Sequence, residues 1–334
     1  MDYDKAVSET WRHYEVTAGH EYTTLVRYAT LAASSHNTQP WKFRLERGRI
    51  HILPDLSRRC PAVDPDDHHL YASLGCAAEN LLLAAQALGL RGHCSYDAST
   101  SSVQVDIEEA PPSRSPLFEA IPSRQCSRTE YDGTQLSGEQ ISLLEAAGRD
   151  SGVSLLLLSA NTQKEQVAEY VAEGNTAQFG DRRWAEELKS WIRFNARGAM
   201  RAGDGLYGPV MGSPDVPRWL GTLFMRLAFS AKSQNRKDIR NIRSSAAIAV
   251  FFSDTDDKPH WIEAGRCYER FALQAAALQL RTAFINQPVE VSPLRPQFAT
   301  SLGIGNCRPD LVVRVGRGPG MPRSLRRPLE HVLI

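Results

Sequence analysis

The clearest pattern of apolar and polar positions runs from Trp261 to Glu290. Ile262, Tyr268, Leu273, Ala277 and Leu280 recur at helical spacing, with small residues between them that admit a neighbouring helix, so a long core helix is predicted. After Arg281 the run Ala283-Phe284-Ile285 reads as a short strand. It is stopped at Asn286-Gln287-Pro288, because proline drives its predecessor out of the α region. The same element is written once before, over His69–Arg91. A shift of 190 residues lays Gly75 on Gly265, Glu79 on Glu269, Leu83 on Leu273 and Arg91 on Arg281, among eight identities in seventeen positions. Two Ala/Leu-rich helices can align by composition alone, but a glycine, a glutamate and an arginine matching in one register argue for an internal repeat.

Leu25, Tyr28 and Leu31 mark a helix over Glu21–Ala33. Alternation through Trp41, Phe43 and Leu45, a turn at Arg47-Gly48 and resumption at Ile50 and Ile52 mark a β-hairpin. Further strands are predicted at Val103–Ile107, Ser154–Ser159, Ala246–Phe252 and Leu311–Gly316. A Ser137/Gln140 capping box opens an amphipathic helix, and Trp184, Leu188 and Trp191 share one face of a helix over Asp181–Asn195, as core residues do more often than stacking ligands. Pro111 to Pro116 reads as a linker that divides the chain into halves at 1–112 and 113–334. From Ala199 to Lys237 the pattern turns irregular. Its glycines, prolines and large apolar residues make a poor solvated loop but suit an insertion covering a site, a lid centred on 203–229.

Composition narrows the function. At 334 residues, 42% hydrophobic and 23% charged, the chain can form one large domain or two smaller ones. A net charge of +1 provides no general field for nucleic acid or anionic lipid, so neither a nucleic-acid nor a membrane partner is expected. The N-terminus lacks a basic segment followed by an apolar run, and no stretch is long and apolar enough to span a bilayer, so a cytoplasmic protein is expected. The six cysteines show no zinc spacing and read as buried thiols.

Candidate chemistry sits in polar stretches. Ser34-Ser35-His36-Asn37-Thr38-Gln39 is either a solvated loop or a surface made to hydrogen-bond a ligand, since a turn needs only one or two such residues. Arg124 and Arg128, four apart, are either solvated or able to fork onto a dianion such as phosphate. Arg317, Arg323, Arg326 and Arg327 make a cationic tail. Asp64-Pro65-Asp66-Asp67-His68-His69 has the residue types of a metal site, but its position before a helix favours capping, and no metal is expected.

Together SSHNTQPW, SRQCSR, WIEAGRCYERFALQAAALQL with FINQPVEV, and RSLRRPLEHVL, in that order, resemble the nitroreductase superfamily of flavin enzymes, in particular its fused, Acg-like branch. The resemblance implies an α+β sandwich of mixed central sheets with flanking helices, two repeats in one chain forming an intramolecular pseudo-dimer that acts as a monomer. It implies FMN held by Ser34, Ser35, Asn37 and Gln39 from the first half. From the second half it implies Arg124, Cys126, Arg128, Asn286, Gln287, Pro288, Arg323, Arg326 and Arg327. Within that set Arg124, with Arg326 or Arg327, falls on the phosphate, Arg128 near the pyrimidine end of the ring, and Gln39 with Trp41 holds the corner. The polar corner occurs in one half and the arginines in the other, so one FMN per chain is expected. Two departures stand out: Cys126 replaces a hydroxyl residue, and Ala33 replaces the proline before the double serine. The implied function is hydride transfer from NAD(P)H through FMN to a nitroaromatic or quinone-like acceptor, with no catalytic side chain. The alternative is a non-catalytic store of FMN beneath a closed lid.

Overall fold

The computed structural model describes residues 2–14 and 21–334, apart from the side chains of 226 and 228. Strands β1 (Trp41–Glu46), β2 (Arg49–Pro54), β3 (Leu90–Asp97) and β4 (Ser102–Glu109) form one sheet in the order β1-β2-β4-β3. In the second half, β5 (Val153–Leu158) is followed by the two-residue strands β6 (Ile192–Arg193) and β7 (Leu206–Tyr207), which pair with each other. Then β8 (Ala247–Ser253), β9 (Arg281–Phe284) and β10 (Arg308–Gly316) join β5 in a second sheet, ordered β5-β8-β10-β9.

Both four-stranded sheets are antiparallel at every pairing of named strands, not mixed. The helical connection from β2 to β3 could make parallel neighbours, but β4 inserts between the two, and β10 inserts likewise between β8 and β9. Among the described residues, parallel pairing is confined to the short β6–β7 pair and to single bridges at the outer edges of the two sheets, Phe43 with Leu333 and Cys126 with Thr282.

The helices are α1 (Tyr3–Thr10), α2 (Glu21–Thr30), α3 (His68–Ala87), α4 (Pro116–Ala120), α5 (Gly138–Ala147), α6 (Asn161–Gly180) and α7 (Arg182–Trp191). They continue as α8 (Ala196–Ala202), α9 (Arg218–Ala228), α10 (Ala231–Arg243), α11 (Lys258–Ala277), α12 (Gln287–Glu290) and α13 (Arg295–Leu302). None among the described residues is long and apolar enough to cross a membrane. The capping box forms as expected: Ser137 accepts from Gln140 N, and Gln140 returns the bond to Ser137 N. The stretch predicted to be irregular instead contains α8, α9 and α10. Pro217 and Ser230 stand at the N-caps of α9 and α10, outside the helices, where proline and serine are compatible with helix entry.

The long helices α3 and α11 lie between the sheets. One continuous core takes Ile50, Ile52, Val103 and Val105 from the first sheet, Leu155, Phe251, Leu311 and Val313 from the second, and Leu74, Leu81, Tyr268 and Phe271 from the helices. The outer face of the second sheet is buried too: Ile248, Val250 and Val312 pack on Val167 and Val171 of α6 and Phe298 of α13. Covering on both faces explains why β5 and β8 read as unbroken apolar runs, whereas β1 and β2 alternate.

α3 and α11 cross at glycine. A β-carbon on Gly75 would stand 1.9 Å from the Ile262 carbonyl oxygen, and one on Gly265 would stand 1.9 Å from that of Ala72. Each helix therefore presses its backbone into the other at the residue three before the partner's glycine. The C-terminal tail then returns to the first sheet, where Phe43 N donates to Val332 O and Ile334 N to Phe43 O.

Candidate functional site

Two adjoining cavities, of about 220 and 80 Å³, open along the seam between the halves and share Ala33, Ser34, Arg128, Leu206 and Phe284 in their walls. Ser34 sits at their junction because the chain leaving α2 turns there in a strained corner. His36, Asn37 and Gln39 all adopt positive φ (49°, 54° and 52°), which non-glycine residues enter at a cost. Neighbouring groups hold it there: Asn37 Nδ2 donates to Gly205 O and Leu325 O, Asn37 Oδ1 accepts from Arg326, and Gln39 N donates to Ser34 Oγ.

The smaller cavity is cationic. Arg124, Arg323 and Arg326 line it and gather around the Trp11 indole, with guanidinium carbons 5.9, 4.7 and 4.6 Å from its centroid. Glu269 is the carboxylate paired with this group, 3.0 Å from Arg124 Nε. Arg326 also spends donors on Thr30, Leu31 and Ala32 carbonyls at the end of α2, which carry the negative pole of the helix. Burial, then the crowding of Arg124, pushes Arg326 down to about 9 and Arg323 to about 10. Both stay charged at neutral pH in a place where a further anion would be favoured.

The larger cavity has a different character. Four buried groups on its wall lack a hydrogen-bond partner in the protein: both ring nitrogens of His69, Tyr268 Oη, Trp184 Nε1 and Gln287 Oε1. Asp64, 3.7 Å from His69 Nδ1, is too far to serve. Unpaired buried polar atoms are rare, and several on one wall call for a polar ligand. Arg128 and the unprotonated His36 complete the side nearest the corner; burial, with Arg128 adding, pushes His36 down to about 4. At the far end, burial pushes Glu290 up to about 7, against the Gln178 amide that donates to it at 2.6 Å.

A raised carboxyl pKa means that the folded state holds a proton the unfolded chain has released above the ordinary glutamate value of 4.5. Its contribution to stability is full below that value and lost as pH rises to about 7. Glu290→Gln, which cannot ionise, should therefore gain about 1 kcal/mol on the wild type between pH 4.5 and 8, allowing for partial exposure. Parallel thermal melts across that range would check this, and a pH-independent difference would contradict it.

Of the residues named from the sequence, Ser34, Ser35, Asn37, Arg124, Cys126, Arg128, Asn286, Gln287, Arg323 and Arg326 line these cavities. Gln39, Pro288 and Arg327 do not. Gln39 is fully buried behind the corner, bonding Gly203 O and Arg327 N. Arg327 turns to Gln39 O, His331 O and Asp55. Pro288, buried in the first turn of α12, shapes that turn. Asp64 caps α3, accepting from His69 N and Leu70 N, each at 2.9 Å. His69, Trp184, Tyr268 and Glu290 were missed as site residues. Trp184 and Tyr268 fall on apolar helix faces, and only their polar atoms distinguish them from core.

No protein-family model matches the chain. Two Mycobacterium tuberculosis proteins, from strains CDC 1551 / Oshkosh and ATCC 25618 / H37Rv, carry the provisional name NAD(P)H nitroreductase. Each is 27% identical over 333 residues, covering 93% of this chain and 90% of its own. Similar solved structures include the FMN-dependent nitroreductase NfnB of Mycobacterium smegmatis in complex with NADPH, with a TM-score of 0.41 and 12% identity over 65% of this chain and 96% of that one. A nitroreductase with bound FMN from Bacteroides fragilis NCTC 9343 gives 0.39 and 14% over 63% and 94%. Scores at that level carry no weight beside the sequence relationship. The alignment with the mycobacterial proteins over 93% of this chain supports its place in the nitroreductase superfamily.

Proposed function

We propose that the protein is an FMN-binding oxidoreductase taking electrons from NAD(P)H and passing them to a nitroaromatic or quinone-like acceptor. The observation that carries this is the joining, through Ser34 and Arg128, of an arginine cup to a chamber walled by unpartnered polar groups. The first suits a phosphate and the second the edge of a heteroaromatic ring. When bound, FMN would supply the hydride chemistry. The residues would bind and orient it: Arg124, Arg323 and Arg326 the phosphate, Arg128 the pyrimidine end, and Ser35, Asn286 and Gln287 the ring.

A pseudo-dimer of two repeats, 1–112 and 113–334, with the insertion at 199–237, accounts for a single site. Its support is the matching strand order of the two sheets and the reciprocal glycine crossing. The charges supply the asymmetry. Glu79, the counterpart of Glu269, accepts from Arg266 and Arg270, which also pair with Glu263 and Asp150, so two arginines face three carboxylates and no cation is in excess there. On the other side, among the described residues, Glu269 pairs with Arg124 alone, and Arg323 and Arg326 gather with that arginine around Trp11, so cations are in excess. About one FMN per chain is expected, and a fully loaded ratio near two would count against the reading. Arg323→Ala should weaken FMN binding about 10- to 100-fold, the worth of one charged hydrogen bond, as read by ultrafiltration.

Anaerobic mixing with NADPH or NADH tests turnover directly. Rapid bleaching of the flavin absorbance supports the oxidoreductase. No bleaching, with dithionite still effective, would support storage of FMN instead.

A further inference from the structure

One surface has no part in the proposed reaction. On α9, Trp219, Leu223 and Leu227 follow at successive turns, with Phe224 beside them, and they are 70%, 44%, 77% and 49% exposed. The opposite side of the helix is anchored: Gly221 packs so closely on Phe194 that a β-carbon would lie 2.2 Å from the ring. The helix is thus held with its apolar side outward. From Val216 to Arg236 the sequence carries Arg218, Arg226, Lys232 and Arg236 and no acidic residue, whereas the next cation, Lys237, turns inward to Met211 O. The preceding acid, Asp215, already accepts from Tyr207 Oη and Ala196 N.

We propose that α9 is a docking ridge for an anionic lipid surface, seated by Trp219, Leu223, Phe224 and Leu227 and attracted by the arginines and lysine of that stretch. Aromatic and leucine side chains along one face, in a stretch of sequence that carries cations and no acidic residue, are the features of a helix lying in a lipid interface. A second copy of the chain suits the ridge less well, since two-fold pairing would bring the two basic stretches together. A convex ridge also needs no preformed groove when the surface meeting it is fluid. The net charge of +1 conceals this patch, because the excess is local. The ridge adjoins the cleft: Phe229 stacks on Phe179 at 4.7 Å, and Phe179 on Trp184 at 5.1 Å, whose indole forms part of the larger cavity's wall. This inference does not rest on the proposed activity.

The test is flotation of the purified full-length protein with vesicles of phosphatidylcholine alone or mixed with phosphatidylglycerol. Binding should be at least about tenfold stronger to the mixed vesicles and weaken with added salt. The pair Leu223→Glu and Leu227→Glu should lower it at least tenfold with the melting temperature unchanged. Brominated lipid should quench a tryptophan signal that Trp219→Phe removes, a measurement independent of whether the glutamate variant folds. Flotation with neither vesicle, flotation indifferent to the glutamates, or a concentration-dependent dimer in light scattering that the same variant abolishes would each overturn the proposal.

Discussion

Gly265→Ala is expected to destabilise the protein by about 3 kcal/mol or more, the upper range for overpacking a close-packed interior. The added methyl would meet the Ala72 carbonyl oxygen at 1.9 Å, and Ala72 belongs to a helix buried along most of its length. No side chain can swing aside to relieve that contact. α3 and α11 must separate, and the loss then extends along the interface, including Cys76 Sγ, which donates to Gly265 O at 3.2 Å. Gly75→Ala should cost about as much, because its methyl meets Ile262 O in the same way. The double variant should cost less than the two together, since the first substitution has already opened the crossing. Urea denaturation of the three variants would measure this. Single substitutions within about 0.5 kcal/mol of wild type would mean that the helices do not cross at these glycines.

Those two glycines were visible in the sequence as a repeated position, and their helices as apolar periods, because each packs in one dense core. The hairpin was legible for the opposite reason: one face of the first sheet meets solvent, so its side chains alternate. What escaped is instructive. α9 lies in a stretch rich in glycine and proline, and although Trp219, Leu223 and Leu227 keep helical spacing, an apolar period points to a helix most plainly when that face is buried, and this one faces outward. The antiparallel insertion of β4 and β10 depends on pairing between strands far apart in the chain, which local pattern cannot report. In the cleft, the sequence pointed to the polar corner and the arginines because unusual residues were clustered there. It could not separate Asn37, whose amide is spent on Gly205 and Leu325, from Ser35 beside it. Nor could it show that Arg314, a buried arginine within β10, clips the Ser127 and Thr129 carbonyls and stacks on Tyr131.

Glu269→Gln should be about as damaging as a glycine substitution, at about 3–5 kcal/mol, by a different mechanism. It removes the carboxylate paired with Arg124 while both side chains are almost wholly buried, and it weakens the contact that Ala33 N makes with Glu269 at the start of the corner. Arg124 cannot shed its proton, so the cost should persist across the pH range. The reverse change, Arg124→Ala, takes from Glu269 its ion-pair partner, and burial already pushes that carboxyl up. It can escape by protonation, so this variant should be markedly less unstable at pH 5 than at pH 8. The cup itself predicts the rescue. If Arg124, Arg323 and Arg326 form an anion site, inorganic phosphate or FMN should raise the melting temperature of Glu269→Gln more than that of the wild type. Saturation a hundredfold above the dissociation constant should return about 2.7 kcal/mol. Thermal melts of the two variants at both pH values, with and without phosphate, would decide the matter. A Glu269→Gln protein as stable as wild type would show that the arginines are not held in check by this carboxylate, and the electrostatic basis for placing a phosphate there would be lost.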